Sequence, residues 1–267
     1  MMDKIKSLRE RTGAGMVDCK KALEESGGDM DKAVEILRKK GIAKAAKREE
    51  RAANEGLILA KIDESGKKAF IIEVNSETDF VSRNGKFISF VENVLKTAQK
   101  DQPQNINDLL ALKMADGNTV KDNLNSLSGV IAEKLGIKRF DIISTSGTSA
   151  AYSHAGGRVA AIAALSAPDQ AELAYEIAMQ VAAAGPKYIT REEVPAEDIE
   201  KEKEIYREQL KKEGKPEAMI EKIIQGKLNK YFEEICLVDQ EYIKDDGKRV
   251  KDILGDVKVE GFVRYSL

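Results

Sequence analysis

One order of predicted elements occurs twice in this chain, and it constrains the fold more than any other feature. In the first copy, apolar runs at residues 57–62 and 69–74 flank a polar turn at Ser65 and Gly66, which predicts a β-hairpin. A strongly amphipathic helix follows, with apolar residues at helical spacing: Phe87, Phe90, Val91, Val94, Leu95 and Ala98. This helix can cover one face of the hairpin.

The second copy has a strand at residues 151–154, a turn at Gly156 and Gly157, and a strand at 158–165. Its helix carries a matching apolar stripe: Leu173, Ile177, Val181 and Ala184. Residue identity between the copies is faint, but their shared order predicts an α+β core of two similar halves, each a sheet with a helix on one face. Two helices and a strand are predicted between the copies, near residues 106–113, 119–135 and 137–144.

The first fifty residues predict a small bundle of three helices. Glycines at residues 13–15 and 27–28 separate the helical segments, and Asp29 or Asp31 can cap the third helix. A basic run at 38–51 then holds seven Lys or Arg residues against two glutamates. We interpret this run as a solvated linker, with contact to RNA or to an acidic protein face as the alternative.

Residues 194–234 have a different character, because Glu and Lys dominate and the apolar residues are sparse. One break at residues 214–216 divides the segment into two helices, which predicts an antiparallel helical hairpin with an apolar stripe too thin to form a core alone. The stripe consists of Ile199, Ile205, Leu210, Met219, Ile223 and Leu228. A short helix at 249–254 and a strand at 257–265 are predicted to return to the core, so this arm is an insertion.

These patterns predict four units. The N-terminal three-helix bundle and its basic linker occupy residues 1–54, and the first half of the core occupies 55–145. The second half of the core is in two pieces, 146–193 and 235–267, and the helical arm between them occupies 194–234.

Composition excludes several classes of protein. The chain of 267 residues carries 44 Lys and Arg against 46 Asp and Glu, so it is not a polycation built to coat nucleic acid. Cys19 and Cys236 lie far apart, and from the sequence we expect neither a secretory leader nor a bilayer-spanning apolar run. We therefore expect a protein of the reducing cytoplasm that makes no contact with a membrane.

The sequence offers little catalytic machinery. His154 is the one histidine, which argues against a multi-histidine metal site. No glycine-rich phosphate loop follows a predicted strand, so direct nucleotide binding is not expected. Cys19 lies inside a helix and is interpreted as a packed small hydrophobic residue. We expect no cofactor, no bound metal and no bond-making chemistry.

The corner at residues 74–82 has two interpretations. Asp79 and Phe80 stand side by side where a strand pattern ends, and they can point outward as a probe. Alternatively, Ser76 and Asp79 form a capping box, with Phe80 as a buried anchor. His154, beside its Gly-Gly turn, fits a structural or surface histidine equally well.

Four segments carry a resemblance to a known family. They are LRERTGAGMVDCKKAL at residues 8–23, EVNSETDFV at 73–81, SHAGGRV at 153–159 and GFVRY at 261–265. The first two resemble the signature segments of the bacterial translation elongation factor Ts family, and the likeness covers nearly the whole chain. The resemblance implies a guanine-nucleotide exchange factor for elongation factor Tu, with a ubiquitin-associated-like N-terminal bundle, a two-part α+β core and a coiled-coil arm.

The resemblance also implies roles for individual residues. Asp79 and Phe80, within the segment formed by Thr78, Asp79, Phe80 and Val81, would lie against the nucleotide domain of the GTPase beside its magnesium and phosphate site. Arg9, Met16 and Val17 would grip the same domain, and His154 would face a β-barrel domain of the partner. The arm is a candidate for forming a homodimer or a two-to-two complex.

Three departures limit this carry-over, and one of them is a weak likeness near residues 242–244, where no contact is assigned. Val17 stands where many relatives have methionine, which keeps an apolar contact but changes its shape. The chain ends at Leu267, so contacts made by the extra C-terminal helical module of some members are not carried over. A competing hypothesis is a non-catalytic RNA- or ribosome-associated interaction or oligomerisation protein that uses the basic run and the arm.

Overall fold

The structure is a computed structural model that describes residues 1–46 and 48–267, without the side chains of residues 42 and 44–46. It is a mixture of helices and small antiparallel sheets. In chain order the elements are α1 (Met2–Thr12), α2 (Met16–Glu25), α3 (Met30–Ala46), β1 (Glu55–Ile62), β2 (Lys68–Ser76), α4 (Asp79–Ser82), α5 (Gly85–Asp101), α6 (Ile106–Ala111), α7 (Val120–Ile131), β3 (Gly136–Ser144), β4 (Thr148–His154), β5 (Val159–Leu165), α8 (Ala171–Ala184), α9 (Ala196–Lys212), α10 (Glu217–Ile235), β6 (Glu241–Tyr242), β7 (Asp245–Arg249), α11 (Val250–Leu254) and β8 (Val259–Ser266).

The three N-terminal helices pack around a small apolar core that includes Leu8, Cys19 and Leu23, all fully buried. Of the two predicted caps, Asp29 is the one used, since its Oδ1 accepts hydrogen bonds from the backbone N–H groups of Asp31 and Lys32, both at 3.0 Å. The three helices predicted here are present, and residues between 5 and 37 form one apolar core.

The predicted hairpins and helices of both halves are present. One sheet has the strand order β1-β2-β3 and the other β4-β5-β8, and all the neighbouring strands are antiparallel. Because β8 pairs with β5, the chain returns to the second sheet after the arm, as predicted. A further two-stranded ribbon is formed by β6 and β7.

The sheets stack on each other, which the sequence did not predict. Along β2, Phe70, Ile72 and Val74 face the helices of the first half, whereas Ala69 and Ile71 face the second sheet. The second sheet meets them with buried residues from two strands: Ala160, Ile162 and Tyr265. The core thus has four layers, with helices outside and two sheets inside, and strands buried on both faces show continuous apolar runs rather than alternation.

A buried carboxylate joins the two sheets at one point. Glu73 of β2 is fully buried and accepts hydrogen bonds from Arg139 and Asn75, with Lys138 at 3.1 Å. Burial would raise the pKa of Glu73, but these hydrogen bonds outweigh that effect and hold its pKa below the ordinary value. Arg139 also lies over the ring of Tyr265, 4.2 Å from its centroid, so the network crosses from the first sheet to the second.

Helix α7 is shorter than predicted. It ends at Ile131, whereas the pattern had suggested a helix reaching residue 135. Ala132 adopts a left-handed conformation with φ 68°, and its N–H bonds the carbonyl of Ser128, which ends the helix. The residues released from the helix, 133 and 134, form part of the site described below.

The first part of the basic run is helix rather than linker, which corrects the predicted start of the linker at residue 38. Helix α3 continues to Ala46 and crosses α7 closely, since a Cβ added at Gly129 would lie 2.6 Å from the Cα of Gly41. Arg38 pairs with Asp122 at 3.0 Å, and Arg48 donates to the carbonyl of Ser128 at 3.1 Å. Lys44 and Lys47, which also belong to the predicted run, lie outside the described side chains.

The arm is a helical hairpin, as predicted. Helices α9 and α10 bury four residues between them, Leu210, Ile220, Ile224 and Leu228. Ile205 and Met219, assigned to the stripe, are instead about half exposed, because α9 and α10 contact each other along a narrower line. Within the described part of the chain, no helix is both long and apolar enough to cross a membrane.

Candidate functional site

The corner between β2 and α4 is not a capping box. Thr78, not Ser76, is the residue that precedes α4, and no side chain caps its first turn. The Ser76 hydroxyl donates instead to the carbonyl of Thr78 at 2.9 Å. The Asp79 carboxylate pairs with Arg83, one turn later, at 3.2 Å. The capping interpretation of Asp79 is therefore wrong.

Phe80 is the most exposed large apolar side chain among the described residues, at 83%. The interpretation of Phe80 as a buried anchor is therefore also wrong. The anchor is its neighbour Val81, which is buried in the core of the first half. Because successive helical residues point about 100° apart, burying Val81 turns Phe80 outward. The Asp79 carboxylate is 43% exposed beside it.

Two carboxylates fasten the base of this corner to the segment after α7. Glu133 accepts from both the backbone N–H and the hydroxyl of Thr78, at 3.0 and 2.7 Å. Glu77 accepts from the backbone N–H of Lys134 at 2.6 Å. That hydrogen bond is the main reason why the pKa of Glu77 is lowered. We call this reciprocal arrangement of Glu77, Thr78, Glu133 and Lys134 the carboxylate clamp.

The segment that follows the N-terminal bundle also reaches the carboxylate clamp. Arg51 pairs with Glu77 at 3.3 Å, and the ammonium group of Lys134 donates to the carbonyl of Arg51 at 2.7 Å. The bundle, the corner and the end of α7 are therefore joined by one set of charge-assisted contacts. Sequence reasoning missed Glu133 because it lies 55 residues from Thr78 and shows no motif of its own.

The β4–β5 turn lies beside the same corner. The carbonyl of Gly157 accepts from the N–H of Ile58 at 2.7 Å, and Gly157 adopts φ 87°, a left-handed conformation that favours glycine. Arg158 pairs with Glu55 at 2.5 Å. The pKa of Arg158 is raised mainly by that bond and to a lesser degree by the nearby Asp79 carboxylate.

His154 is exposed at the start of this turn, as one interpretation predicted. Its Nδ1 lies 3.0 Å from the hydroxyl of Tyr152, and the two rings stack with centroids 6.0 Å apart. Tyr175 of α8 meets Tyr152 edge-on at 5.5 Å and is itself about half exposed. His154 thus belongs to a surface group of aromatic rings.

The predicted bundle residues lie near one another. Arg9 and Met16 line a shallow groove of about 380 Å³, which Lys86 in the first turn of α5 closes. Val17, in the first turn of α2, is 66% exposed. The groove therefore adjoins the stretch of chain that leads from Phe80 into α5. The structure thus places Arg9 and Met16 in the same region as the corner. His154 lies at the start of the β4–β5 turn, which also adjoins the corner.

The described residues of this region include no metal cluster and no exposed thiol. Among the described residues, no group of three or more His, Cys, Asp or Glu side chains is arranged to hold a metal ion. Both cysteines are buried, and burial raises the pKa of Cys19 and raises that of Cys236 to about 11. At neutral pH these thiols stay protonated, so Cys19 acts as the packed small side chain that was predicted.

Comparison with known proteins gives a consistent result. A family model described as Elongation factor TS matches residues 77–267. The chain is 45% identical, over 98% of its length and 96% of the relative's, to a protein named Elongation factor Ts from Chlorobium phaeobacteroides (strain BS1). It has the same identity and coverage with the Elongation factor Ts of Prosthecochloris aestuarii (strain DSM 271 / SK 413).

Proposed function

The chain belongs to the elongation factor Ts family, and from that membership we propose that it is a guanine-nucleotide exchange factor in translation elongation. It binds elongation factor Tu carrying GDP and promotes release of the GDP. One observation carries the mechanism: Phe80 is held almost fully in solvent beside Asp79, on a corner fixed to the rest of the fold.

The thermodynamic requirement is linkage. An exchange factor must bind the nucleotide-free GTPase more tightly than the loaded one, and the factor by which it weakens nucleotide binding equals the factor by which nucleotide weakens its own binding. Each tenfold weakening requires about 1.4 kcal/mol of coupling free energy. Contacts that exist only when the nucleotide site is disturbed supply this coupling.

The corner residues suit that requirement. A carboxylate brought beside a magnesium and phosphate site repels phosphate oxygens and competes for a cation that prefers oxygen ligands. An aromatic ring that enters the partner displaces the elements around it and gains free energy from burial. In this proposal Asp79 and Phe80 perform these two tasks, Thr78 and Val81 hold them, and no bond of the nucleotide is made or broken. The protein therefore acts without enzymatic chemistry.

Two further surfaces complete the proposed contact. Arg9, Met16 and Val17 of the bundle bind the nucleotide domain of the partner, and His154 with its neighbouring tyrosines faces a β-barrel domain. The arrangement supports this division, because the bundle groove and the β4–β5 turn each adjoin the corner. The bundle is proposed to be ubiquitin-associated-like, and the arm to be a coiled coil that serves in a homodimer or a two-to-two complex.

The RNA-binding alternative receives less support. It relies on the basic run, yet Arg38, Arg48 and Arg51 each engage an acceptor of this same chain. Arginine side chains that already bind an acceptor within the fold contribute less to the binding of phosphate groups.

Release of a fluorescent GDP from elongation factor Tu tests the proposal directly. Added chain should accelerate release in a saturable manner, and excess GDP should weaken the complex in return. Unchanged release, together with RNA binding that weakens steeply with salt, would reject the exchange function in favour of the alternative.

A further inference from the structure

The short helix α4, which carries Phe80, cannot by itself fix the orientation of the Phe80 side chain. Helix α4 has only four residues, and no side chain caps it. A single helical turn in isolation is unstable, because nucleation fixes several dihedral angles for one hydrogen bond. The direction of Asp79 and Phe80 must therefore be set by contacts on either side of them. On the C-terminal side that contact is the buried Val81.

On the N-terminal side the contact is Glu133. Its two carboxylate oxygens take both donors of Thr78, the residue immediately before Asp79, at 2.7 and 3.0 Å. Both bonds are charge-assisted and so are stronger and more directional than neutral ones. A carboxylate with two oxygens fixes the rotation of the Thr78 peptide as well as its position.

Glu133 is itself held in place. Its carbonyl accepts from the hydroxyl of Ser128 at 2.6 Å, and Ala132 before it is in the left-handed conformation that ends α7. The Ser128 carbonyl in turn accepts from Arg48 of the segment that leaves the bundle. A chain of contacts thus runs from the segment after the bundle through Glu133 to the corner.

We propose that Glu133 is a positioning residue for nucleotide exchange, acting on Thr78 and through it on Asp79 and Phe80 without itself touching the nucleotide site. This inference rests on the proposed exchange function. It assigns to a half-buried glutamate far away in the sequence the task of aiming the two exposed residues.

Glu133→Gln tests the proposal with little change of shape. The amide oxygen can still accept from the N–H of Thr78, but the NH2 group cannot accept from its hydroxyl, so both bonds lose the charge of the carboxylate and the hydroxyl must turn to act as an acceptor. We expect GDP release at saturating factor to slow about tenfold, less than the roughly 100-fold that a 1 Å misplacement can cost. The concentration for half-maximal effect should change less than about twofold, because the bundle and the β4–β5 turn still bind.

Matched variants separate positioning from a loss of stability. Glu49→Gln removes an exposed carboxylate from the same groove that Lys134 lines, and it should leave release unchanged. Thr78→Val removes the hydroxyl donor and should reproduce the slowing, which keeps the proposal testable if Glu133→Gln does not fold. Thermal unfolding of every variant checks the fold.

A combined variant decides the mechanism. If Glu133 acts through Asp79 and Phe80, Glu133→Gln should slow release by less than about twofold when Asp79→Ala and Phe80→Ala are already present. Equal slowing in both backgrounds, or no slowing in either, would overturn the positioning role while leaving the exchange function intact. If Phe80→Ala alone has no effect on release, the corner mechanism of the proposed function fails, and this inference fails with it.

Discussion

Replacing Phe80 by alanine should separate function from stability in this protein. The ring is 83% exposed, so folding removes only about a sixth of it from water. Full burial of a phenylalanine side chain contributes about 1.5–3 kcal/mol, which puts the folding contribution of this ring below about 0.5 kcal/mol. For a chain of this size that change lowers the unfolding temperature by about 1–2 °C.

The expected effect on exchange is much larger. If the ring becomes buried in the partner as GDP leaves, the variant loses the whole burial contribution in the exchange complex. At 1.4 kcal/mol for each factor of ten, about 1.5–3 kcal/mol corresponds to a roughly ten- to hundredfold slower release. Stability and activity should therefore respond to the same substitution on very different scales.

Stopped-flow release of fluorescent GDP from elongation factor Tu measures this effect, with thermal unfolding in parallel. Ile62→Ala is the matched control, because Ile62 is also an exposed apolar residue, at 43%, but lies at the far end of β1 from the corner. Two results would refute the reasoning: release by Phe80→Ala equal to that of the control, or an unfolding temperature lowered by many degrees.

Three further substitutions test other parts of the structure. Asp79→Ala should slow GDP release but cost less than about 0.5 kcal/mol of stability, since its ion pair is exposed; a loss near 1 kcal/mol in urea unfolding would restore the capping interpretation. Gly129→Ala should cost about 1–3 kcal/mol in the same assay, because the added Cβ would lie 2.6 Å from a facing helix backbone. Glu73→Gln should cost about 3 kcal/mol at pH 7. Its carboxyl pKa is lowered on folding, so the difference from the unaltered protein should stay constant above pH 4.5 and shrink as the pH falls through the lowered pKa.

Local patterns were sufficient to predict most elements of this fold. The hairpins, the helix of each half and the return of the last strand all followed from periodicity and turn residues. The stacking of the two sheets did not follow, because Ala69 and Ile71 could have faced solvent or another layer equally well. A continuous apolar run indicates burial on both faces without indicating what covers the second face.

The corner shows a similar division between local and distant information. A segment of nine residues was enough to draw attention to Asp79 and Phe80, but not to decide whether they cap a helix or face solvent. Ser76 has the residue type of a cap, yet it still belongs to β2 and its hydroxyl donates to a carbonyl. Glu133 was missed because a carboxylate that bonds a distant backbone leaves no periodic signal in the sequence.

In the proposed mechanism, the carboxylate clamp allows a solvent-exposed ring on a one-turn helix to be effective. Ordering one residue of flexible chain costs about 1–2 kcal/mol of conformational entropy. If residues 77–80 were mobile and became ordered only on contact with the partner, several kcal/mol would be subtracted from the free energy available to expel nucleotide. Glu77 and Glu133 order these residues during folding, when that cost is met by the whole structure. The free energy of burying Phe80 then remains available for the coupling that exchange requires.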